Sequence, residues 1–209
     1  MVNPNLDILL DDDANLHELA EKSINDKIRE FYPGFEYYVK IDENNPVPNF
    51  YAPSRKSGKK ALKLSESYFI RLVYSILSDQ DLDRFKLFLR TTLDHEAQHM
   101  KNDGINDELN AQVYALSRAA DPLDALSMQI AVYSHLHGVS PEVGLEAQLN
   151  YWGILKHKNP FRSSITKART DIIEKAKIYA NCLADKSDSI AHNSLKLPQR
   201  VISWSQTYI

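Results

Sequence analysis

The chain of 209 residues carries 25 basic and 28 acidic side chains, a formal net charge of -3, with 43% hydrophobic and 10% aromatic residues. That composition suits one soluble domain with a sizeable core, and its weak charge gives no field that would favour nucleic acid or an anionic membrane. The single cysteine, Cys182, excludes an internal disulfide framework and a cysteine-rich zinc site, and its setting in Ile178-Tyr179-Ala180-Asn181-Cys182-Leu183 reads as a buried helical position.

The N-terminus opens Met1-Val2-Asn3-Pro4 and runs into Asp11-Asp12-Asp13. It has neither a positive n-region nor a long apolar h-region, so no standard secretory signal is expected, which leaves room for export through a C-terminal signal. No stretch approaches 18 apolar residues, so no membrane span is expected.

Leu16, Leu19, Ile24, Ile28 and Phe31 recur at helical spacing, predicting a helix over 14–31 that Pro33-Gly34 ends. Phe35, Tyr37, Val39 and Ile41 then alternate as a strand. Prolines 46, 48 and 53 and Gly58 make 42–60 mostly loop, including the basic run Arg55-Lys56-Ser57-Gly58-Lys59-Lys60. Asn49–Ala52 and Ala61–Leu64 read as short strands flanking it, with Leu62 and Leu64 on an edge strand open to strand addition by a peptide.

From there the pattern is helical. One helix is expected over 67–78 and, after a capping pair at Ser78 and Asp81, a long one over 80–102 that Asp103-Gly104 stops. Asp107 caps a helix over 108–119, and Asp121-Pro122 starts another that ends at Gly138. Ser140-Pro141 opens a helix to about His157, Asn159-Pro160 breaks it, and Ser163 or Ser164 opens a last helix to about Asp185. The expectation is an α+β, mainly helical fold: one domain over 1–186 with a small N-terminal sheet packed on the helix around His95, added C-terminal helices, and a tail over 187–209 that packs on the domain or carries an export signal.

His95-Glu96-Ala97-Gln98-His99 lies inside the long helix. Four residues on a helix rise about 6 Å and return to the same face, so both imidazoles reach one ion. Glu96 beside the first ligand is placed to act on a metal-activated water, which is the chemical logic of the H-E-x-x-H spacing. A catalytic zinc site adds a third protein ligand and keeps one position open. Six residues beyond His99 stands Ile105, not the histidine that a metzincin needs. Glu108, at the start of the next helix, is the better third donor, with Asp103 and Asp107 as rivals suited to loop and cap roles.

The pair His95-Glu96-Ala97-Gln98-His99 and Glu108-Leu109-Asn110-Ala111 resembles the gluzincin metallopeptidases, over about 65–120. The resemblance implies one Zn2+ per chain held by His95, His99 and Glu108, with Glu96 as general base, in an enzyme that hydrolyses protein or peptide bonds. Gln112 departs from it, standing where the family usually has an acidic residue, and so puts that outer contact in doubt. A similarity to bacterial effector metalloproteases implies delivery into a host cell by a specialised secretion system and a host protein substrate such as actin.

The other candidates have ordinary readings. His135, His137 and His157 lie near helix ends, where solvation or the helix dipole accounts for them. His17 and His192 read as surface residues. Any of the first three, Tyr114 or Tyr133 is a candidate oxyanion donor. Asn110, Asp94 and Asp103 are candidates to orient a ligand imidazole. Phe85, Phe88, Tyr151 and Trp152 read as core. A di-iron site needs a second Glu-x-x-His, and no other histidine has an acidic residue three positions before it. A non-catalytic zinc-binding module is the remaining alternative.

Overall fold

Two strand residues and one helix face determine how the chain begins to pack. In α1 (Asp13–Phe31) Ile24 and Ile28 are one turn apart and fully buried, while Lys22, Asp26, Arg29 and Glu30 face solvent. That stripe covers β1 (Tyr38–Asp42), whose Val39 and Ile41 alternate inward as a half-buried strand should. The joint between them is polar. Asn25 donates from Nδ2 to the Val39 carbonyl at 2.8 Å and accepts from the Val39 N–H at 2.8 Å. Glu21 accepts from the Ile41 N–H at 3.0 Å. The two α1 side chains thus occupy backbone groups that would otherwise be a bare sheet edge.

A computed structural model of the protein describes residues 13–42, 50–51, 61–65, 83–102 and 107–191. The helix expected over 67–78, the cap at Ser78 and Asp81, the basic run, Asp103 and residues 192–209 lie outside these. The described fold is α+β and mainly helical. The sheet also holds β2 (Phe50–Tyr51) and β3 (Ala61–Ser65), in the order β1-β3-β2. β1 and β3 are parallel with Val39 opposite Leu62, and β2 runs antiparallel with Phe50 opposite Leu64.

Leu62 and Leu64 are therefore on the central strand, not an edge. The reason lies in burial on both faces: Ala61, Leu62, Leu64 and Ser65 are all buried, as in an interior strand. Strand addition at Leu62 and Leu64 is accordingly withdrawn.

The helices follow as α2 (Asp83–Lys101), α3 (Glu108–Arg118), α4 (Pro122–His137), α5 (Pro141–Tyr151), α6 (Arg162–Lys167) and α7 (Arg169–Ala191). The centre of this layer is α4, which packs against α2, α3, α5 and α7. Its run from Ala125 to Val132 is buried throughout and has no charged residue, as a helix surrounded on all sides requires. Asp121 caps it, accepting from the N–H groups of Leu123 and Asp124, and Gly138 at φ 63° closes it. Asp124 at its start accepts from the Tyr179 hydroxyl at 2.5 Å and pairs with Lys175, both on α7.

Three helix ends differ from the sequence pattern. α5 stops at Tyr151 rather than near His157, because Gly153 turns to φ 68° and the Ile154 N–H bonds back to the Leu149 carbonyl. α6 starts at Arg162, after a turn closed by Asn159, rather than at Ser163 or Ser164: the Asn159 Oδ1 accepts from the N–H groups of Phe161 and Arg162. The last helical stretch is divided at Ala168, and its second part continues to Ala191, past the expected end at Asp185. Where α5 crosses α4, Gly144 is buried, and a Cβ built there would collide with Ser134 Oγ. No helix among the described residues is long and apolar enough to cross a membrane.

Candidate metal centre

The site forms where α2 and α3 face each other. One face of α2 is apolar, with Phe88, Leu89, Leu93, Ala97 and Met100 buried, and this seats the helix firmly in the core. His95 and His99 lie one turn apart on it, 7% and 8% exposed. Asp107 accepts from the Asn110 N–H at 2.9 Å and so starts α3 at the position that puts Glu108 in its first turn.

The three donors converge. His95 Nε2 is 3.1 Å from His99 Nε2 and 3.2 Å from Glu108 Oε2, and His99 Nε2 is 3.5 Å from Glu108 Oε1. Two donors bound at about 2.0–2.1 Å in a tetrahedron are separated by roughly 3.3–3.4 Å, so these spacings are those of a tetrahedral metal set. His95, His99 and Glu108 form a group able to hold a metal ion, and two imidazoles with one carboxylate suit a borderline cation such as zinc. Asp107 is spent on its cap. Glu96 is half-buried on the same helix.

The electrostatics follow from this crowding. Burial opposes ionisation of Glu108, but hydrogen bonds and charge from His95 and His99 outweigh it and hold the carboxyl well below its usual range. Tyr151, the last residue of α5, is pushed up to about 12 by burial of its phenol, by the charge of Glu108 and a hydrogen bond to it, and by the charge of Glu96. The residue as a whole is 61% exposed. Tyr151 is thus not a core aromatic; from a third helix its phenol comes close enough to Glu108 and Glu96 to feel their charge. Nothing in its spacing from the motif announces this, since it depends on how α5 packs. Phe88 and Trp152 are buried as expected.

The far side of the His95 ring meets Gln112. His95 Nδ1 lies 2.9 Å from Gln112 Oε1, and Gln112 Nε2 donates to Gln129 Oε1 at 2.7 Å. The residue that departs from the gluzincin resemblance is thus in contact with a candidate ligand.

The rival candidates are engaged elsewhere. Asp94 accepts from the Tyr32 hydroxyl at 2.6 Å and from Arg118 Nε at 3.1 Å, while Arg118 Nη2 donates to Tyr32 at 3.1 Å. This triad, with Tyr32 and Asp94 buried and Arg118 partly exposed, ties the end of α1 to α2 and α3 beside His95. Asn110 donates from its side chain to Asp107. The Tyr114 hydroxyl accepts from Lys101 at 3.4 Å, and Tyr133 stacks on His137 at 4.3 Å between ring centroids. His137 and His157 are exposed. Cys182 is exposed as well, because the buried face of α7 there runs through Tyr179 and Leu183.

Compared with known proteins, the chain matches no family model, no curated protein and no solved structure. Any functional reading therefore rests on the chemistry of the site.

Proposed function

We propose that the chain is a zinc-dependent endopeptidase. The observation that carries this reading is the convergence of His95, His99 and Glu108 at tetrahedral spacing, with a further carboxylate, Glu96, on the same helix. Three protein donors are the number that leaves a coordination position for chemistry. Zinc held there supplies Lewis acidity and lowers the pKa of water.

Each protein group then has a defined task. The Glu96 carboxylate takes a proton from the attacking water and delivers it to the nitrogen of the departing amine. Glu108 stays anionic because the two imidazoles favour that state, so it remains a donor at neutral pH. The Tyr151 phenol, pushed up by burial and by the charge of Glu108, keeps its proton at neutral pH and can donate it as a hydrogen bond to oxyanion charge on the scissile carbonyl. The resemblance read from the sequence motifs extends the proposal to a protein secreted into a host cell, with actin as the first substrate to try.

The test is zinc analysis and a cleavage assay on actin and a panel of unfolded proteins, for wild type beside Glu96→Ala. Both proteins should hold one zinc, and the variant should cleave roughly a hundred to ten thousand times more slowly. Equal cleavage by the two overturns the mechanism. Zinc in a wild type that cleaves nothing points instead to a non-catalytic zinc-binding module.

A further inference from the structure

Gln112 is 0% exposed and Gln129 is 8% exposed, yet neither is needed to fill space as an amide. A buried primary amide costs stability unless its donors and acceptor are matched, and an apolar side chain of similar volume would pack there without that demand. The pair is matched in one line: His95 Nδ1 to Gln112 Oε1 at 2.9 Å, then Gln112 Nε2 to Gln129 Oε1 at 2.7 Å. The line crosses from α2 through α3 to α4.

We propose that Gln112 and Gln129 form a positioning relay that fixes His95 as its Nδ1–H tautomer and so turns the Nε2 lone pair toward His99 and Glu108. Gln129 accepts from the Gln112 amide group. That leaves the Gln112 carbonyl facing His95, where only an N–H on Nδ1 satisfies it. A neutral imidazole with its proton on Nδ1 has its lone pair on Nε2, the nitrogen that lies 3.1 Å from His99 and 3.2 Å from Glu108. A carboxylate would set the same tautomer, but would add a second buried negative charge beside Glu108. The amide sets it at no cost in charge, leaving a bound cation one unit more positive and the better electrophile.

The relay rests on the zinc reading of the site, but its test does not depend on turnover. The affinity of the full-length protein for zinc, measured in competition with a chromogenic chelator, is compared in wild type, Gln112→Leu, Gln112→Glu and Gln129→Met. Gln112→Leu should weaken zinc binding by roughly 10–100-fold, as loss of an outer partner does. Gln112→Glu accepts at the same position, and it should bind at least as tightly as wild type. Gln129→Met should fall between wild type and Gln112→Leu. A merely structural role for the amide gives the opposite order, with leucine harmless and the buried glutamate damaging, and that order overturns the proposal. If Gln112→Leu fails to fold, the other two variants decide it: zinc binding kept in Gln112→Glu and weakened in Gln129→Met supports the relay, and zinc binding lost in Gln112→Glu or unchanged in Gln129→Met refutes it. Failure of the peptidase reading would show as zinc binding in the predicted order with no cleavage by wild type.

Discussion

The α2–α3 pair buries a carboxylate and two imidazoles within a mainly apolar contact, and the α4–α7 pair, among the described residues, buries neither kind of group. Between them α2 and α3 bury Thr91, Asp94, His95, His99 and Gln112. The α4 and α7 helices bury Leu126, Met128, Ile130, Ile172, Ala176 and Leu183, joined at one end by Tyr179 and Asp124. Apolar burial needs no particular partner, whereas each polar group in the first pair needs a matched one. Some of those partners lie within the pair, Arg118 for Asp94 and Gln112 for His95, and others come from outside it: Tyr32 just past α1 and Gln129 from α4. The difference teaches that the candidate metal site is not held by its own two helices alone. The elements around them complete it, and the mainly apolar packing of α4 against α7 supplies the frame.

That contrast can be broken from either side. The largest effect should come from Glu108→Ala, which should lower zinc affinity on the order of a thousand-fold by removing one of three ligands. Chemical denaturation of the metal-free protein should show a smaller loss, from the missing pairing of the carboxylate with His95 and His99, and unchanged stability would mean that this pairing does not support the fold without metal. Leu126→Ala is the mirror case. It should cost about 3 kcal/mol of stability through cavity formation while leaving the zinc affinity of the folded protein alone. Unaltered stability would show that α4 is not the frame.

Tyr151→Phe should come next, lowering kcat about a hundred-fold with zinc affinity and KM unchanged, as loss of an oxyanion donor does. A rise in KM alone would instead make the phenol a substrate-binding group. Smallest is Asp94→Asn, expected to cost about 2 kcal/mol by taking the charge from a buried partner of Arg118 and Tyr32. A denaturation midpoint equal to wild type would show that the triad is not a support for α2.

Much of the site was readable as a string. The spacing of His95 and His99, the turn to a new helix and the cap at Asp107 together pointed to Glu108, because each is a local signal. The caps of α4 at Asp121 and Gly138 are local in the same way. What could not be read depends on packing between distant elements. The bond from Asn25 to β1, the partnership of Gln112 with Gln129 and the arrival of Tyr151 at Glu108 exist only once helices are docked. The strand order failed to show for the same reason, since alternation in Ala61–Leu64 hides burial on both faces. Cys182 misled because cysteine is usually buried, while its exposure depends on where the buried stripe of α7 falls.

Gly144 has no chemistry to offer, and it lies about two helical turns from Tyr151 on the same rod. Its missing side chain lets α5 rest against Ser134. Any larger residue acts there as a wedge under one end of a lever whose other end carries the phenol. A genetic screen scored by turnover alone would then count Gly144 among the active-site residues, and a screen scored by zinc content would pass over it.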